Sequence, residues 1–460
     1  MTRYLKILLW DMEIGRLAWH PARKTSYFIF NPEFLGRKLD IAPLTASIHS
    51  PASSRAIFAE PERIYQNLPP FIADSLPDAW GNQLFEQWRK EKHLSERDIT
   101  PLDKLAFIGK RGMGALEFEP ETDLGLINEK INVKALADLA EKIFTERENI
   151  SILQEESLTL QSLIRVGTSA GGRQPKGIIA MNPKTGEIRS GQVEAEQGFE
   201  YFILKFGDAQ RSTAELEQTY YLMARKAGIN MMESRLLKVD GVNHFLTRRF
   251  DRDTSGKLHI QTLAAMCPGA DSYEKLTAVC RKLQLPETDI QELFRRMVFN
   301  FLANNTDDHN KNFSFVMDRK GKWSLAPAYD MTFIFNTGGF QPNKEHCLMT
   351  GGKLQDVSLD DIRSFASEQG IHRPEAVIHE VADAIGDFRT LARQNGVGEE
   401  WTGRIEAVLN HNLEEWGLRP PASALSFVAP EGHKVEKARI EPAFKGNCTR
   451  PQNAPEPPSA

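Results

Sequence analysis

The stretch Thr306–Phe315 reads TDDHNKNFSF, and one hairpin later the chain reads APAYDM from Ala326. Two aspartates, two asparagines, a histidine and a lysine between apolar runs are the parts that phosphoryl transfer uses. That reaction needs Mg2+ held by a carboxylate and an amide, a base for the acceptor hydroxyl, and a lysine on the nucleotide phosphates. Asp307 and Asn312 have the D-x-x-x-x-N spacing at which protein kinases carry the base and a metal-binding asparagine. Asp330, after the hairpin, is the candidate for the further metal-binding carboxylate, as the Asp of D-F-G is in kinases. Lys205, on the apolar run FILKF, is the candidate for the phosphates. Lys311 stands where it could reach the transferring phosphate, and His309 where it could fix the loop by a side-chain to backbone hydrogen bond. Taken alone, DDHNKN reads equally as a solvated loop with a capping aspartate, because these residues favour turns. The order of the parts favours the chemistry: a lysine on a strand, a long amphipathic helix, the polar loop, an apolar strand, and a returning aspartate.

Two glycine-rich stretches need separate weighing. In GTSAGGRQPK, Gly171 and Gly172 would let backbone N–H groups approach phosphates, and Lys176 adds charge. A Gly-Gly turn between strands is the commoner explanation of such a stretch. GKRGMG at 109–114 lacks the following Lys-Ser/Thr of a P-loop and reads as a tight structural turn. Glu217, on the helix after Lys205, either pairs with that lysine or is a plain exposed charge. Arg248, Arg249, Phe250 and Asp251 end a hairpin where a lobe connection would hold adenine by backbone groups; their side chains could equally be structural.

The elements that must position these residues follow from periodicity. Residues 3–30 alternate short apolar runs around a Glu-Ile-Gly turn, which suits a small antiparallel sheet. Ile72, Leu76, Trp80, Leu84 and Trp88 recur every four residues, which predicts one or two helices over 71–92 with this face in the core. An amphipathic helix is expected over Val133–Phe144 and a strand over Phe199–Phe206. Ser212 or Thr213 should cap the next helix, with Glu215 in its first turn and Gly228 at its end. Asp240-Gly241 marks a hairpin, and from Pro286 the chain reads mainly helical.

Composition sets the outer limits. A chain of 460 residues, 41% hydrophobic and 26% charged, buries a sizeable core in two or three domains. A net charge of -5 and a pI near 6.2 argue against a protein that coats nucleic acid by itself. The four cysteines lack metal-type spacing, Asp11 and Glu13 interrupt any signal-peptide core, and no apolar run reaches membrane-spanning length. A reducing cytoplasm is the expected location. After Pro420 the chain turns proline-rich and should be disordered.

TDDHNKNFSF with PAYD, the loop GTSAGGRQPK, the strand FILKF, the RRFDR hairpin end, and SLPDAWGN and IGKRGMGAL near the amino terminus together resemble the HipA family of serine/threonine kinases, toxins of bacterial type II toxin–antitoxin systems. The resemblance runs from residue 1 to about 418 and implies an α+β, two-lobed, protein-kinase-like fold. Its parts would be an N-terminal subdomain over 1–125, a nucleotide-binding part over 150–255, a helical catalytic lobe over 256–418, and the tail 421–460. It implies Asp307 as base, Asn312 and Asp330 as Mg2+ ligands, and Lys205 on the ATP phosphates. It places the nucleotide against His309, Asn310, Lys311 and Asn312, and against Tyr329 and Asp330. It also implies that the glycine loop binds ATP and that Ser169 is phosphorylated by the kinase itself, with Thr168 as a competing hydroxyl. Arg173, Gln174 and Pro175 leave the loop's backbone contacts open. The implied partners are a protein substrate such as an aminoacyl-tRNA synthetase, a small helix-turn-helix antitoxin, and DNA only through that antitoxin. The rival readings are a non-catalytic co-repressor scaffold and a small-molecule kinase.

Overall fold

Alternation in YLKILL turns Leu5, Ile7 and Leu9 inward and leaves Tyr4 and Lys6 to solvent, so the first strand buries one face only. The computed structural model describes residues 2–59, 62–125, 130–146, 156–167, 172–192, 197–335 and 341–419. The tail expected to be disordered lies outside them, as do Thr168, Ser169, Ala170 and Gly171.

Strands β1 (Tyr4–Leu9), β2 (Met12–His20), β3 (Thr25–Phe30), β4 (Ile57–Phe58) and β5 (Leu116–Glu119) form an antiparallel sheet in the order β4-β3-β2-β1-β5. The first turn falls on Trp10 and Asp11, both left-handed, and not on Glu13-Ile14-Gly15. That tripeptide lies inside β2, where the register with β1 shifts between Ile7 and Leu8. Gly15 is needed for closeness: a Cβ there would stand 2.3 Å from the Ile29 carbonyl and 2.5 Å from the Phe28 ring.

Helices α1 (Pro32–Leu35), α2 (Pro70–Ala73), α3 (Ala79–Glu91) and α4 (Pro101–Ile108) complete this part. The four-residue repeat over 72–88 spans a break, since Pro77 cannot continue α2 and Asp78 caps a new helix. Ile72 therefore enters one core cluster and Trp80 another.

The second cluster joins Trp80, Leu84, Phe85 and Phe107 to α5 (Val133–Glu146), α6 (Ser157–Gly167) and a second antiparallel sheet. That sheet comprises β6 (Lys176–Met181), β7 (Ile188–Ser190), β8 (Glu200–Lys205), β9 (Ser234–Val239) and β10 (Val242–Arg248), in the order β7-β6-β8-β10-β9. Helix α7 (Thr213–Lys226) follows β8 and packs against β10 and β9. Neither expected hydroxyl caps it. Ser212 is left-handed with no capping bond, and Thr213 Oγ1 instead accepts from Asp208 N at 2.9 Å.

A short ribbon, β11 (Arg252–Asp253) and β12 (Gly256–Lys257), leads into β13 (His259–Thr262), which pairs with β14 (Ser314–Met317); β14 in turn pairs with β15 (Trp323–Leu325). The rest of the lobe is helical: α8 (Leu263–Met266), which packs on β13, then α9 (Tyr273–Lys282), α10 (Glu287–Leu302), α11 (Leu359–Glu368), α12 (Pro374–Gly386), α13 (Phe388–Asn395) and α14 (Glu399–Glu415). The larger core cluster runs from the N-terminal sheet through this lobe. Each large apolar side chain fully buried in it contributes about 1.5–3 kcal/mol. Among the described residues no helix is long and apolar enough to cross a membrane.

Candidate functional site

Helix α10 delivers the polar loop. Its apolar face fixes the helix in the core, and left-handed Asn304 then turns the chain out toward the cleft. Asn312 Nδ2 donates to the Asp307 carbonyl at 2.7 Å and Asn312 N to the His309 carbonyl at 2.8 Å, so the loop closes on itself. His309 Nδ1 accepts from Lys311 N at 3.2 Å, a side-chain to backbone bond. Tyr329 locks the loop from behind: its hydroxyl donates to the Lys311 carbonyl at 2.7 Å and lies 2.5 Å from Ser314 Oγ. The Tyr329 ring stacks on Phe250, with centroids 5.5 Å apart.

The two loop aspartates differ. Asp308 is buried and accepts from the Tyr273 hydroxyl at 2.6 Å and from Cys347 N at 2.7 Å, with His346 Nδ1 at 3.0 Å. Asn300 donates to the Tyr273 hydroxyl at 2.9 Å, Asn305 to Asn300 at 2.8 Å, and Thr332 N to Asn305 at 3.2 Å. This buried network ties the loop to the segment carrying Asp330. Asp307 keeps its carboxylate at the cleft, 3.9 Å from His309 Nε2. Burial raises the Asp307 carboxyl above its ordinary range; His309 works against this, and the Asp330 and Asp308 carboxylates add to it. A raised carboxylate is the stronger base for a hydroxyl proton.

Strand pairing supplies the cations. Lys176 on β6 and Lys205 on β8 are direct register partners, both buried. Like charges placed opposite each other destabilise a sheet, so carboxylates must gather here. Lys205 Nζ bonds Glu217 of α7 and Asp330 together. Glu217 is 6% exposed, so its reading as an exposed helix charge is overturned. Burial works to lower the Lys205 ammonium, but the Asp330 and Glu217 carboxylates outweigh it and the group stays protonated well above its usual range. For Asp330, burial is outweighed by Lys205 and Lys176, which hold the carboxyl well below the carboxylate range. Asp330 is also left-handed, an uncommon conformation for a residue with a Cβ, and the Lys205 bond helps hold it there.

The rest of the glycine loop meets this cluster only in part. Arg173 is exposed, and its charge acts on Asp307. Gln174 Nε2 donates to the Phe206 carbonyl at 3.3 Å and the Pro175 carbonyl accepts from Phe206 N at 3.0 Å, which anchors β6 beside β8. Gly171 and Ser169 lie outside the described residues. Asn310 is turned into structural bonds: its Nδ2 donates to the Ala270 carbonyl at 3.0 Å and its carbonyl accepts from Ala264 N. The Arg249 guanidinium is wholly buried on Asp251, at 2.6 Å and 2.8 Å, so its side chain is structural, as one of the two readings of this hairpin end has it. Arg248 is exposed, 3.8 Å from Glu200. Sequence reasoning missed the Tyr273–Asn300–Asn305 network and Asp78, whose proline-preceded position signalled only a helix cap.

Oxygen donors at the loop suit a hard cation. The Asn312 amide uses its nitrogen on Asp307, which leaves Oδ1 to bind, and Asp330 supplies a carboxylate. One or two protein oxygens, with waters and phosphates completing the shell, is the usual way Mg2+ is held at phosphoryl-transfer sites.

The family models match both parts of the chain: the HipA N-terminal domain over residues 5–119 and the HipA-like C-terminal domain over 168–388. The chain belongs to the HipA family. A solved structure from Shewanella oneidensis, HipA in complex with HipB and operator DNA, is similar over 90% of this chain and 97% of that one. Its TM-score is 0.61 and its identity 17%, a likeness of fold. Among curated relatives, Y4mE of Sinorhizobium fredii, named as a candidate kinase, is 23% identical over 380 residues, covering 74% of this chain and 87% of that protein. A Haemophilus influenzae protein, also named as a candidate kinase, is 27% identical over 201 residues, covering 39% of this chain and 57% of the relative. This HipA-family chain thus has a mixed α/β, kinase-like fold with an N-terminal sheet and a helical C-terminal lobe.

Proposed function

We propose that this HipA-family chain is a Mg-ATP-dependent protein serine/threonine kinase. The observation that carries the reading is the Lys205–Glu217–Asp330 cluster, with Lys205 and Glu217 buried and Asp330 partly exposed, beside the loop bearing Asp307 and Asn312. Lys205, already protonated against two carboxylates, takes the nucleotide phosphates. Asp307 accepts the proton of the acceptor hydroxyl as its oxygen bonds to the γ-phosphorus and the bond to ADP breaks. Asn312 and Asp330 would hold Mg2+, which would neutralise charge on the phosphates.

The acceptor is a protein hydroxyl, and an aminoacyl-tRNA synthetase would make the activity an inhibitor of translation. A small helix-turn-helix antitoxin would bring the chain to operator DNA, in keeping with the HipB and DNA in the Shewanella complex and with the chain's own net charge of -5. Ser169 is the hydroxyl modified by the enzyme itself; about two negative charges there would repel the ATP phosphates.

Labelled ATP with a cell lysate tests the reading. A labelled protein band is expected with the native chain and none with Asp307→Asn, which should lose at least about a hundredfold in transfer while still binding Mg-ATP. Label in a metabolite alone would favour a small-molecule kinase, and no transfer at all a scaffold. Mass spectrometry should find phosphate on Ser169 of the native protein and not of Asp307→Asn.

A further inference from the structure

A carboxylate of the N-terminal domain stands two residues from a side chain bonded to the glycine loop. Asp78 caps α3, and its Oδ1 accepts from Gly81 N at 2.6 Å, while Oδ2 is closed off from solvent without any hydrogen-bond partner. Two residues on, Trp80 grips the glycine loop twice: its N donates to the Gly172 carbonyl at 3.4 Å and its Nε1 to the Lys176 carbonyl at 3.0 Å. Gly172 is left-handed, and a Cβ on it would stand 2.5 Å from Lys176 Nζ and 3.7 Å from Asp330 Oδ2. The Lys176 ammonium therefore lies against the loop, facing the carboxylate that Lys205 also bonds.

A buried ammonium needs a counter-charge. Lys176 is 2% exposed, and Asp78, whose Oδ2 is buried two residues before the Trp80 that bonds both Gly172 and Lys176, favours its charged form together with Asp330 and Glu217. Glu217 and Asp330 are already bonded to Lys205. Asp330 is further committed to the metal in the kinase reading, on which this inference rests. We propose that Asp78 is a positioning residue of the phosphate site: its carboxylate is the counter-charge that holds the Lys176 ammonium at the glycine loop, ready for the phosphates of ATP. The N-terminal domain is thereby part of the nucleotide site and not an appendage to it.

Calorimetry of Mg-ATP binding to the full chain tests this without recourse to activity. Asp78→Asn keeps a capping oxygen for Gly81 N and removes only the charge. Its melting temperature should stay near that of the native chain while ATP affinity falls by roughly tenfold or more. In a Lys176→Met background the same substitution should have no further effect, because both changes act through one ammonium. Unchanged or tighter ATP binding by Asp78→Asn would overturn the proposal, since a charge that merely repels phosphate gives that result; so would an undiminished loss in the Lys176→Met background. Asp78→Ser, which also caps and carries no charge, gives the same comparison if the Asn variant does not fold. A native chain that binds no Mg-ATP would remove the kinase reading together with this one, whereas binding by the native chain that is matched by Asp78→Asn removes this inference alone.

Discussion

Asp307 and Asp308 are chain neighbours in opposite environments. Asp308 is closed in by Tyr273, Cys347 N and His346, with no oxygen turned to the cleft chemistry, while Asp307 stands half-buried beside His309. Removing Asp308 would leave the Tyr273 hydroxyl and a backbone N–H buried without their acceptor, at about 1–3 kcal/mol for each group left unpaired. Asp308→Ala should therefore lower the denaturant midpoint by an amount equivalent to roughly 2–4 kcal/mol. Asp307→Asn should leave that midpoint nearly unchanged and remove transfer instead. Equal stability losses in the two variants would mean that both aspartates serve the fold. The spacing to Asn312 selects Asp307 in the sequence, but that Asp308 is closed into the core is not legible there, because adjacent positions on a loop differ only in which way the chain turns them.

At the scale of elements, the end of β10 is clamped to the glycine turn of the N-terminal domain. Asp251 accepts from Arg249 Nε at 2.8 Å and Nη2 at 2.6 Å, from Arg252 Nη1 at 2.6 Å, and from Gly114 N at 2.8 Å. Gly109 and Gly114 are both left-handed, so the structural reading of 109–114 as a tight turn holds. Burial works to raise the Asp251 carboxyl, but the two guanidiniums outweigh it and hold the group well below the carboxylate range. Because the folded value lies below the unfolded one of about 3.9, the clamp stabilises fully above that pH and is lost as pH falls further. Asp251→Asn should thus cost roughly 3–5 kcal/mol at pH 7, since it strands buried guanidiniums, and distinctly less near pH 3. Chemical denaturation at the two pH values checks it, and a pH-independent cost would count against the clamp. RRFDR is legible in sequence as a hairpin end; its partner at Gly114 is not, because 137 positions separate them.

Across the whole molecule, a seam joins the N-terminal part to the catalytic lobe at Ile41, whose carbonyl meets His259 Nε2 at 3.0 Å and Gln261 Nε2 at 2.5 Å. His259 Nδ1 is buried with no partner, and burial lowers the imidazole to about 4. The unfolded chain takes up this proton near pH 6.5 and the folded one only near 4, so stability should fall with pH between those values by up to about 1.4 kcal/mol per unit. His259→Gln, which cannot titrate, should flatten that part of the stability–pH curve; an unaltered slope would show that His259 is not its source.

The sequence by itself determined what depends on near neighbours. Asp307 and Asn312 share one loop, so their spacing alone brings amide and carbonyl together; Asp240-Gly241 turns its own hairpin; and α5 and α10 follow from apolar periodicity. Only the tertiary structure decided which charges meet. It set Lys176 opposite Lys205, buried Glu217 against Lys205, paired Arg249 with Asp251, and brought Trp80 from the N-terminal domain onto the Lys176 carbonyl, two residues from Asp78. The physical reason is that a charge acts according to distance and desolvation, and both are fixed by strand register and packing between segments far apart in the chain.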